Sequence, residues 1–497
     1  MRILFVARCF AAARAHTRIP YVLCVPHTVL SFFLCSCRSF VSNAPHAKDS
    51  LNPAQTEFWQ ALPNATLQDD VLSLPDGVFF LGDSSLGNRL YVRQCYPKYY
   101  DKCLADQLPQ DQRAVCVFTG TPGIGKTTFM LYVLWRLVTE GQAEFVYVYR
   151  QFPVVVYDVR AKSTFLQHSL DLRPEGHFSK HFLLSDPVRK TAEAHFMGHT
   201  LIFASPTPSR YSELVKVPAN ARWVMPPWEL QELQECGFLK DFTDTQIAES
   251  FSYFGGAMRH VSQHLHHPEQ AMVALLESLN TQQNVAQLLQ NMGTLITDEE
   301  FRSILVHMVP DGGRFDSYVL QFASKYIANK LYDRVTQQST DDLQRVMKAM
   351  AGQSIAAAMR GWLFEAHAHN TLCHDMMAEH PALEFVGGDG QAFRLPKLSA
   401  NSRASFLPAA TRLDTLPAGV YHQPSTPNFE SVDAFLKFDR QLLLFQMTLS
   451  HTHPIKMNGL VNVVKSFGAE CNRVFLVFVV PEEESKLTLP QPLLTTK

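Results

Sequence analysis

An apolar, β-branched run, Ala114-Val-Cys-Val-Phe118, leads directly into Thr119-Gly-Thr-Pro-Gly-Ile-Gly-Lys-Thr-Thr128, and a helical pattern follows from Phe129 to Val138. Strand, glycine-rich turn and helix in that order constrain the local fold, because Gly120, Gly125, Lys126 and Thr127 fall at the spacing GxxxxGK[ST]. Glycines at 120, 123 and 125 let backbone N–H groups turn inward on a phosphate without a Cβ in the way. The helix starting at Lys126-Thr127-Thr128 presents its positive dipole end to the same anion. Lys126 is expected to reach the β- and γ-phosphates of ATP or GTP, and Thr127 to hold Mg²⁺. The alternative is a glycine-rich turn without a ligand; with strand and helix both in place, nucleotide binding is the favoured expectation.

At 497 residues the chain exceeds what one hydrophobic core organises, and its length suggests about three domains. With 46% apolar and 18% charged residues it reads as folded rather than disordered. Lys and Arg number 44 against 46 Asp and Glu, so no overall basic field points to nucleic acid, and any such surface is local. The ten cysteines contain no CxxC pair, and no His cluster shows zinc spacing, which favours reduced thiols and no structural metal. Residues 1–45 stand apart. They carry Arg2, Arg8, Arg14, Arg18 and Arg38, no acidic residue precedes Asp49, and their apolar stretch from Ile19 to Cys37 is interrupted by Pro20, Pro26 and His27. This composition fits a transit peptide, as for mitochondrial import, a signal or poor membrane anchor, or a leader with no targeting role in an intracellular protein. The prolines speak against a membrane-spanning helix, and no membrane partner is expected for the folded part.

Residues 46–112 read as a preamble packing on the nucleotide domain, with a turn at Pro75-Asp-Gly77 and the run Leu90-Tyr-Val-Arg-Gln-Cys-Tyr-Pro97. Tyr91, Tyr96, Tyr99 and Tyr100 either approach the nucleotide base or belong to the core. Over 113–265, strand patterns at Glu144–Arg150, Pro153–Arg160, His181–Asp186, Thr200–Ser205 and Arg222–Met225 predict a three-layer α/β domain with a parallel sheet. Asp186, at the end of its strand, is placed to orient Mg²⁺, and Ser205 stands where a γ-phosphate sensor or a turn serine would. After a helix and the break Gly255-Gly256, Arg259 is either a cation returned to the phosphates from a helical lid or a solvated arginine. From there to Gln353 the pattern predicts helix throughout, at Pro268–Leu279, Val285–Leu295 and Thr340–Met350, a lid and connector over 266–353.

With the loop, Asp186, the Ser205-Pro206 strand end, the Met225-Pro-Pro-Trp228 turn and Gly255-Gly-Ala-Met-Arg259 in order, the chain from about Leu51 onward resembles a known group. It is similar to the P-loop NTPases of the Crinkler effectors of oomycetes and the related retrotransposon hot spot (RHS) proteins, whose wording matches Leu90–Pro97 and Gly120–Lys126. The resemblance implies an ATP-binding effector, secreted and directed to a host nucleus, with DNA and host proteins as partners. The N-terminus lacks the ubiquitin-like header and the Leu-Phe-Leu-Ala-Lys motif of typical Crinklers. Pro187, rather than a water-polarising glutamate, follows Asp186, with Glu193 the nearest later carboxylate, so slow hydrolysis or a nucleotide switch is expected.

Over 354–497 the order changes. A helix at Ile355–Leu372 containing Glu365 is followed by strands around Gly387–Gly390, then Ser431–Leu436, Gln441–Leu449, a helix at Gly459–Phe467 and the strand Arg473–Val480. The resemblance identifies this order with a restriction-endonuclease-like, PD-(D/E)xK nuclease α/β domain. That chemistry asks for a strand-borne Asp and, one strand later, an acid two places before a Lys, which together hold Mg²⁺ and steady the attacking water. Asp433 suits the first position as a metal ligand, while Gln446 and Thr448 occupy those of the acid and the lysine. Lys456 is the candidate substitute cation and Glu365 a further carboxylate; His451 and His453 are expected to make hydrogen bonds. The domain is therefore expected either to cleave DNA or, without its lysine, to bind DNA or protein under a nucleotide switch. An organellar ATPase is the third reading.

Overall fold

The computed structural model describes residues 7–8, 50–106, 108, 114–150, 153–168, 178–186, 196–206, 220–280, 304–312, 314–338, 340–377, 384–386, 392–393, 402–408, 411–425, 429, 432–438, 440–450, 455–467, 471, 473–481 and 493–494. Apart from Ala7 and Arg8, the leader lies outside the described residues, as do Pro187, Glu193, Val285–Leu295, Gly387–Gly390, His451 and His453.

Helix α1 (Pro53–Ala61) starts where Asn52 accepts from the Gln55 backbone N–H and the Gln55 side chain accepts from that of Asn52, a reciprocal cap with proline at the first helical position. It buries Phe58 and Trp59, and the Trp59 ring stacks on Tyr157 at 5.1 Å. A small antiparallel sheet of β1 (Thr66–Gln68), β2 (Val71–Ser73) and β3 (Arg89–Tyr91) leads into α2 (Cys95–Asp106). Phe58, Leu72, Leu90, Tyr96 and Tyr99 are buried in one continuous core with the elements that follow.

The central sheet has seven strands: β4 (Val115–Thr119), β5 (Phe145–Tyr149), β6 (Val154–Asp158), β7 (Ser163–Gln167), β8 (His181–Ser185), β9 (His199–Phe203) and β10 (Asn220–Val224). Its spatial order is β10-β4-β9-β8-β5-β6-β7; the first five are parallel, and β6 and β7 extend the sheet antiparallel. Side chains alternate across it, so Cys116 and Phe118 of β4 face one cluster and Val115 and Val117 the other. That two-sided burial is why these strands read as unbroken apolar runs. Helix α3 (Lys126–Thr139) lies on the first face, burying Phe129, Met130, Leu134 and Leu137.

Next come α4 (Leu230–Glu235), α5 (Asp244–Phe254), α6 (Met258–His266) and α7 (Pro268–Asn280). The helical reading of 266–353 needs correction at its centre. Strands β11 (Val306–Pro310) and β12 (Tyr318–Phe322) form an antiparallel hairpin pairing Val306 with Phe322 and Pro310 with Tyr318. Their β-branched and aromatic residues flank Asp311-Gly312, a turn signal that outweighs the helical pattern on either side.

After the hairpin run α8 (Lys325–Gln338), α9 (Thr340–Met350) and α10 (Ala357–Met377). Helix α10 belongs to two cores: Met359, Leu363 and Ala366 complete the front one, while Phe364, Ala368 and Leu372 join the core of a second sheet. That eight-stranded sheet contains β13 (Glu384–Val386), β14 (Ala392–Phe393), β15 (Ser402–Phe406), β16 (Val420–Pro424), β17 (Ala434–Phe438), β18 (Gln441–Met447) and β19 (Arg473–Val479), with the short strand Ala7–Arg8 joining β13 to β19. Strands β16, β17 and β18 form an antiparallel meander, and β19 returns parallel to β18 after α11 (Met457–Ser466). Strands β15 and β16 were not legible in the sequence, because Tyr421-His-Gln-Pro424 carries no alternating apolar pattern.

Candidate functional site

The glycine-rich loop stands at the carboxyl end of β4, between β9 and β10, the edge where parallel sheets present ligand crevices. Gly123 adopts φ +82°, and a Cβ there would lie 2.8 Å from Arg259 Cβ, so bare backbone is what lets α6 approach the loop.

Three side chains brace the loop from behind. Arg93, 1% exposed, donates to both carboxylate oxygens of Glu232 at 2.7 Å and to the carbonyls of Pro226 at 2.9 Å and Pro227 at 3.0 Å. It also reaches the Ile124 carbonyl at 3.4 Å, to which Trp228 Nε1 donates at 3.0 Å. Tyr96 Oη donates to the Gly125 carbonyl at 2.9 Å. Leu90–Pro97 and Met225–Trp228, distant in sequence, thus meet at the back of one loop.

On the open side, Lys126 donates to the Gly120 and Thr121 carbonyls at 2.9 Å each. Thr127 Oγ1 donates to Asp186 Oδ2 at 3.0 Å. Arg150, just beyond β5, brings Nε to 3.4 Å from the same oxygen. Sequence reasoning missed Arg150, although it follows an apolar strand ending at the same sheet edge, and that position was the available signal. The loop opens on a cleft of about 900 Å³ that Thr128, Ser205 and the exposed side chain of Arg259 also line. Tyr91 and Trp228, with rings 5.8 Å apart, form an aromatic wall of this cleft. Tyr96, Tyr99 and Tyr100 are core instead: Tyr99 donates to the Val224 carbonyl at 2.5 Å, and all three are buried.

A second cluster forms where α10, β17 and β18 meet. Asp433 Oδ2 accepts from the Met447 backbone N–H at 2.7 Å and from Gln446 Nε2 at 3.1 Å. Glu365 Oε1 pairs with Lys325 Nζ at 2.6 Å, and the same ammonium stands 3.9 Å from Asp433 Oδ1. His369 Nε2 lies 3.4 Å from Glu365, and its Nδ1 is 2.7 Å from Tyr421 Oη. Burial opposes ionisation of Glu365, yet the Lys325 charge and the His369 contact outweigh it and hold its pKa down at about 2. Burial, followed by the neighbouring Glu365 charge, pushes Asp433 up to about 7 despite Lys325. The two neighbouring carboxyl groups are thus shifted in opposite directions.

Thr448 is buried, and its Oγ1 accepts from the Ser450 N–H. Lys456 is exposed at the N-cap of α11. The ammonium that meets the carboxylates is that of Lys325, which sequence reasoning missed because its segment read as helical connector. Among the described residues, no group of three or more His, Cys, Asp or Glu side chains is placed to hold a metal ion, and no helix is long and apolar enough to cross a membrane.

These geometries define a mixed α/β protein with a glycine-rich-loop cleft at one sheet and a carboxylate cluster at another. No protein-family model matches the chain. It is 23% identical over 410 residues to Crinkler effector protein 15 of Phytophthora infestans, an alignment covering 79% of this chain and 63% of that protein. Crinkler effector protein 16 of the same organism is 23% identical over 409 residues, with the same shares covered. The chain thus spans about 63% of the length of these curated relatives, and its similarity to Crinkler effector proteins is distant.

Proposed function

We propose that the chain is a Crinkler-like, nucleotide-binding effector in which a three-layer P-loop NTPase domain controls a restriction-endonuclease-like domain that acts on or binds DNA. The Thr127–Asp186 hydrogen bond at 3.0 Å carries the reading. It joins the residue after the loop lysine to the carboxylate ending β8, in a sheet whose parallel strands lie in the order fifth, first, fourth, third, second. The positive φ of Gly120, Gly123 and Gly125 fits a loop wound around a polyphosphate, as does the Lys126 ammonium, and the Thr127 hydroxyl with Asp186 fits a hard divalent ion. ATP or GTP and Mg²⁺ would be held there, with Ser205, Arg150 and Arg259 facing the phosphates from other elements. With proline at 187, hydrolysis is slow and the nucleotide serves as a switch.

The helix, three-stranded meander, helix and parallel strand formed by α10, β16 to β18, α11 and β19 supports the nuclease-like reading. Asp433, Glu365 and the Gln446 amide oxygen would hold Mg²⁺, which keeps several waters in such sites. Hydrolysis there would join a water oxygen to phosphorus and break one phosphoester bond, the proton going to the leaving oxygen. A second reading, a binding module without cleavage, is favoured by Thr448 in the lysine position. Secretion and a host-nuclear destination rest on the Crinkler similarity alone.

The test is ATP titration and supercoiled-plasmid cleavage by the full chain with Mg²⁺ or Mn²⁺. Lys126→Ala is expected to weaken ATP binding by about tenfold to a hundredfold, and Asp433→Ala to abolish cleavage. Intact ATP binding without cleavage under any condition decides for the binding module, and unchanged ATP binding in Lys126→Ala removes the nucleotide reading.

A further inference from the structure

We propose that Lys325 is the cation of the C-terminal carboxylate centre and that the phosphate loop itself holds it in place. This rests on the nuclease-like reading above and adds the residue and the connection that the reading lacks. Lys325 is 6% exposed, and a buried ammonium is stable only beside partners such as Glu365 at 2.6 Å and Asp433 at 3.9 Å. It therefore places a positive charge where the strand position Thr448 supplies none.

The same lysine is the first residue of α8, and the residues just before it are tied to the loop. Ser324 Oγ donates to the Tyr253 carbonyl at 2.7 Å and accepts from the Ile327 N–H at 3.2 Å, fixing the start of α8. The Ala323 carbonyl lies against Gly255, where a Cβ would stand 2.0 Å from it. From Gly255 the chain turns into α6, and the Arg259 N–H donates to the Gly123 carbonyl at 3.2 Å. A second tie runs through the hairpin, because Thr121 Oγ1 accepts from the Met308 N–H at 2.9 Å, and β11 pairs along its length with β12, which ends two residues before Ser324. Two residues of the glycine-rich loop thus hold both routes to Lys325. A loop that reshapes around a phosphate shifts the Lys325 ammonium relative to the carboxylates, so the front domain delivers the charge that the rear centre needs.

The experiment uses the full chain, supercoiled plasmid and Mn²⁺. Lys325→Ala is expected to lower cleavage about 100-fold or more while the protein still binds ATP. Adding Thr448→Lys to that variant is expected to restore cleavage, because positions 446 and 448 share one face of the strand path, and to make cleavage indifferent to Lys126→Ala. Wild-type cleavage in Lys325→Ala, or no rescue in the double variant with ATP binding intact, overturns the proposal. Should the wild type cleave nothing, the nuclease reading fails, and Mn²⁺ binding measured by electron paramagnetic resonance still decides the role of Lys325. Removal of its charge then tightens Mn²⁺ binding about tenfold or more in a manner abolished by Asp433→Asn. Equal Mn²⁺ affinity in wild type and Lys325→Ala overturns it.

Discussion

One guanidinium, that of Arg93, shapes the back of the glycine-rich loop. Its planar fork meets Glu232 in two parallel bonds, and its remaining N–H groups hold three carbonyls, those of Ile124, Pro226 and Pro227. Lysine has one nitrogen and cannot span that set. Arg93→Ala leaves Glu232, whose side chain is 15% exposed, without its partner, and removing one member of such a pair costs about 3–5 kcal/mol. The expected outcome is a loss of that size in urea unfolding, together with weaker ATP binding because Ile124 loses a restraint inside the loop. Arg93→Lys is expected to recover little of either. The measurement is a pair of unfolding curves and ATP titrations, and an Arg93→Lys protein matching the wild type would refute the fork argument.

At the scale of elements, the hairpin β11–β12 carries a titratable group that registers its seating. His307 is 3% exposed; burial, and after it the charge on His260, lowers its pKa to about 3. In the unfolded chain it titrates at the ordinary histidine value, so between about 6.5 and 3 the unfolded state binds the extra proton. Stability from this group is complete above about pH 6.5 and is lost as pH falls through about 3, where the difference reaches about 4 kcal/mol. His307→Gln has no proton to take up, so its urea midpoint relative to wild type is expected to improve steadily from pH 7 to pH 4. A constant difference across that range would mean that His307 titrates normally. The sequence hid this element for a physical reason. Strands β4, β8 and β9 are apolar on both faces and the helix after the loop has clear spacing, whereas β11 and β12 include polar His307 and Gln321 and are flanked by helical pattern. The loop residues, Asp186 and Asp433 were legible because each sits at a fixed offset from a strand. Arg150 and Lys325 were less so, because what singles them out is the tertiary contact with Asp186 in one case and with Glu365 in the other.

Across the whole molecule, the preamble, the central sheet and the helices up to α10 share one core, running from Phe58 to Ala366. Helix α10 then turns its other face to Leu436, Leu443 and Phe445 of the second sheet, so one rod of 21 residues closes two cores and carries Glu365 between them. Cutting at the expected segment boundaries near 112 and 353 therefore cuts through packed structure. A fragment of residues 113–353 loses Phe58, Trp59, Tyr96 and Tyr99 on one side and Met359 and Leu363 on the other, all buried. Each large apolar side chain removed from a core costs about 2–5 kcal/mol, so six of them cost about 12–30 kcal/mol, against the 5–15 kcal/mol that ordinarily separates folded from unfolded. The fragment is expected to be insoluble or to show no cooperative melting and no ATP binding, whereas residues 50–497 melt cooperatively and are stabilised by ATP with Mg²⁺. Stabilisation of about 2.7 kcal/mol is expected at ligand a hundredfold above its Kd. If residues 113–353 bound ATP as tightly as the longer chain, the shared core would be dispensable, and the route from the glycine-rich loop to Lys325 would have to work without α10 behind it.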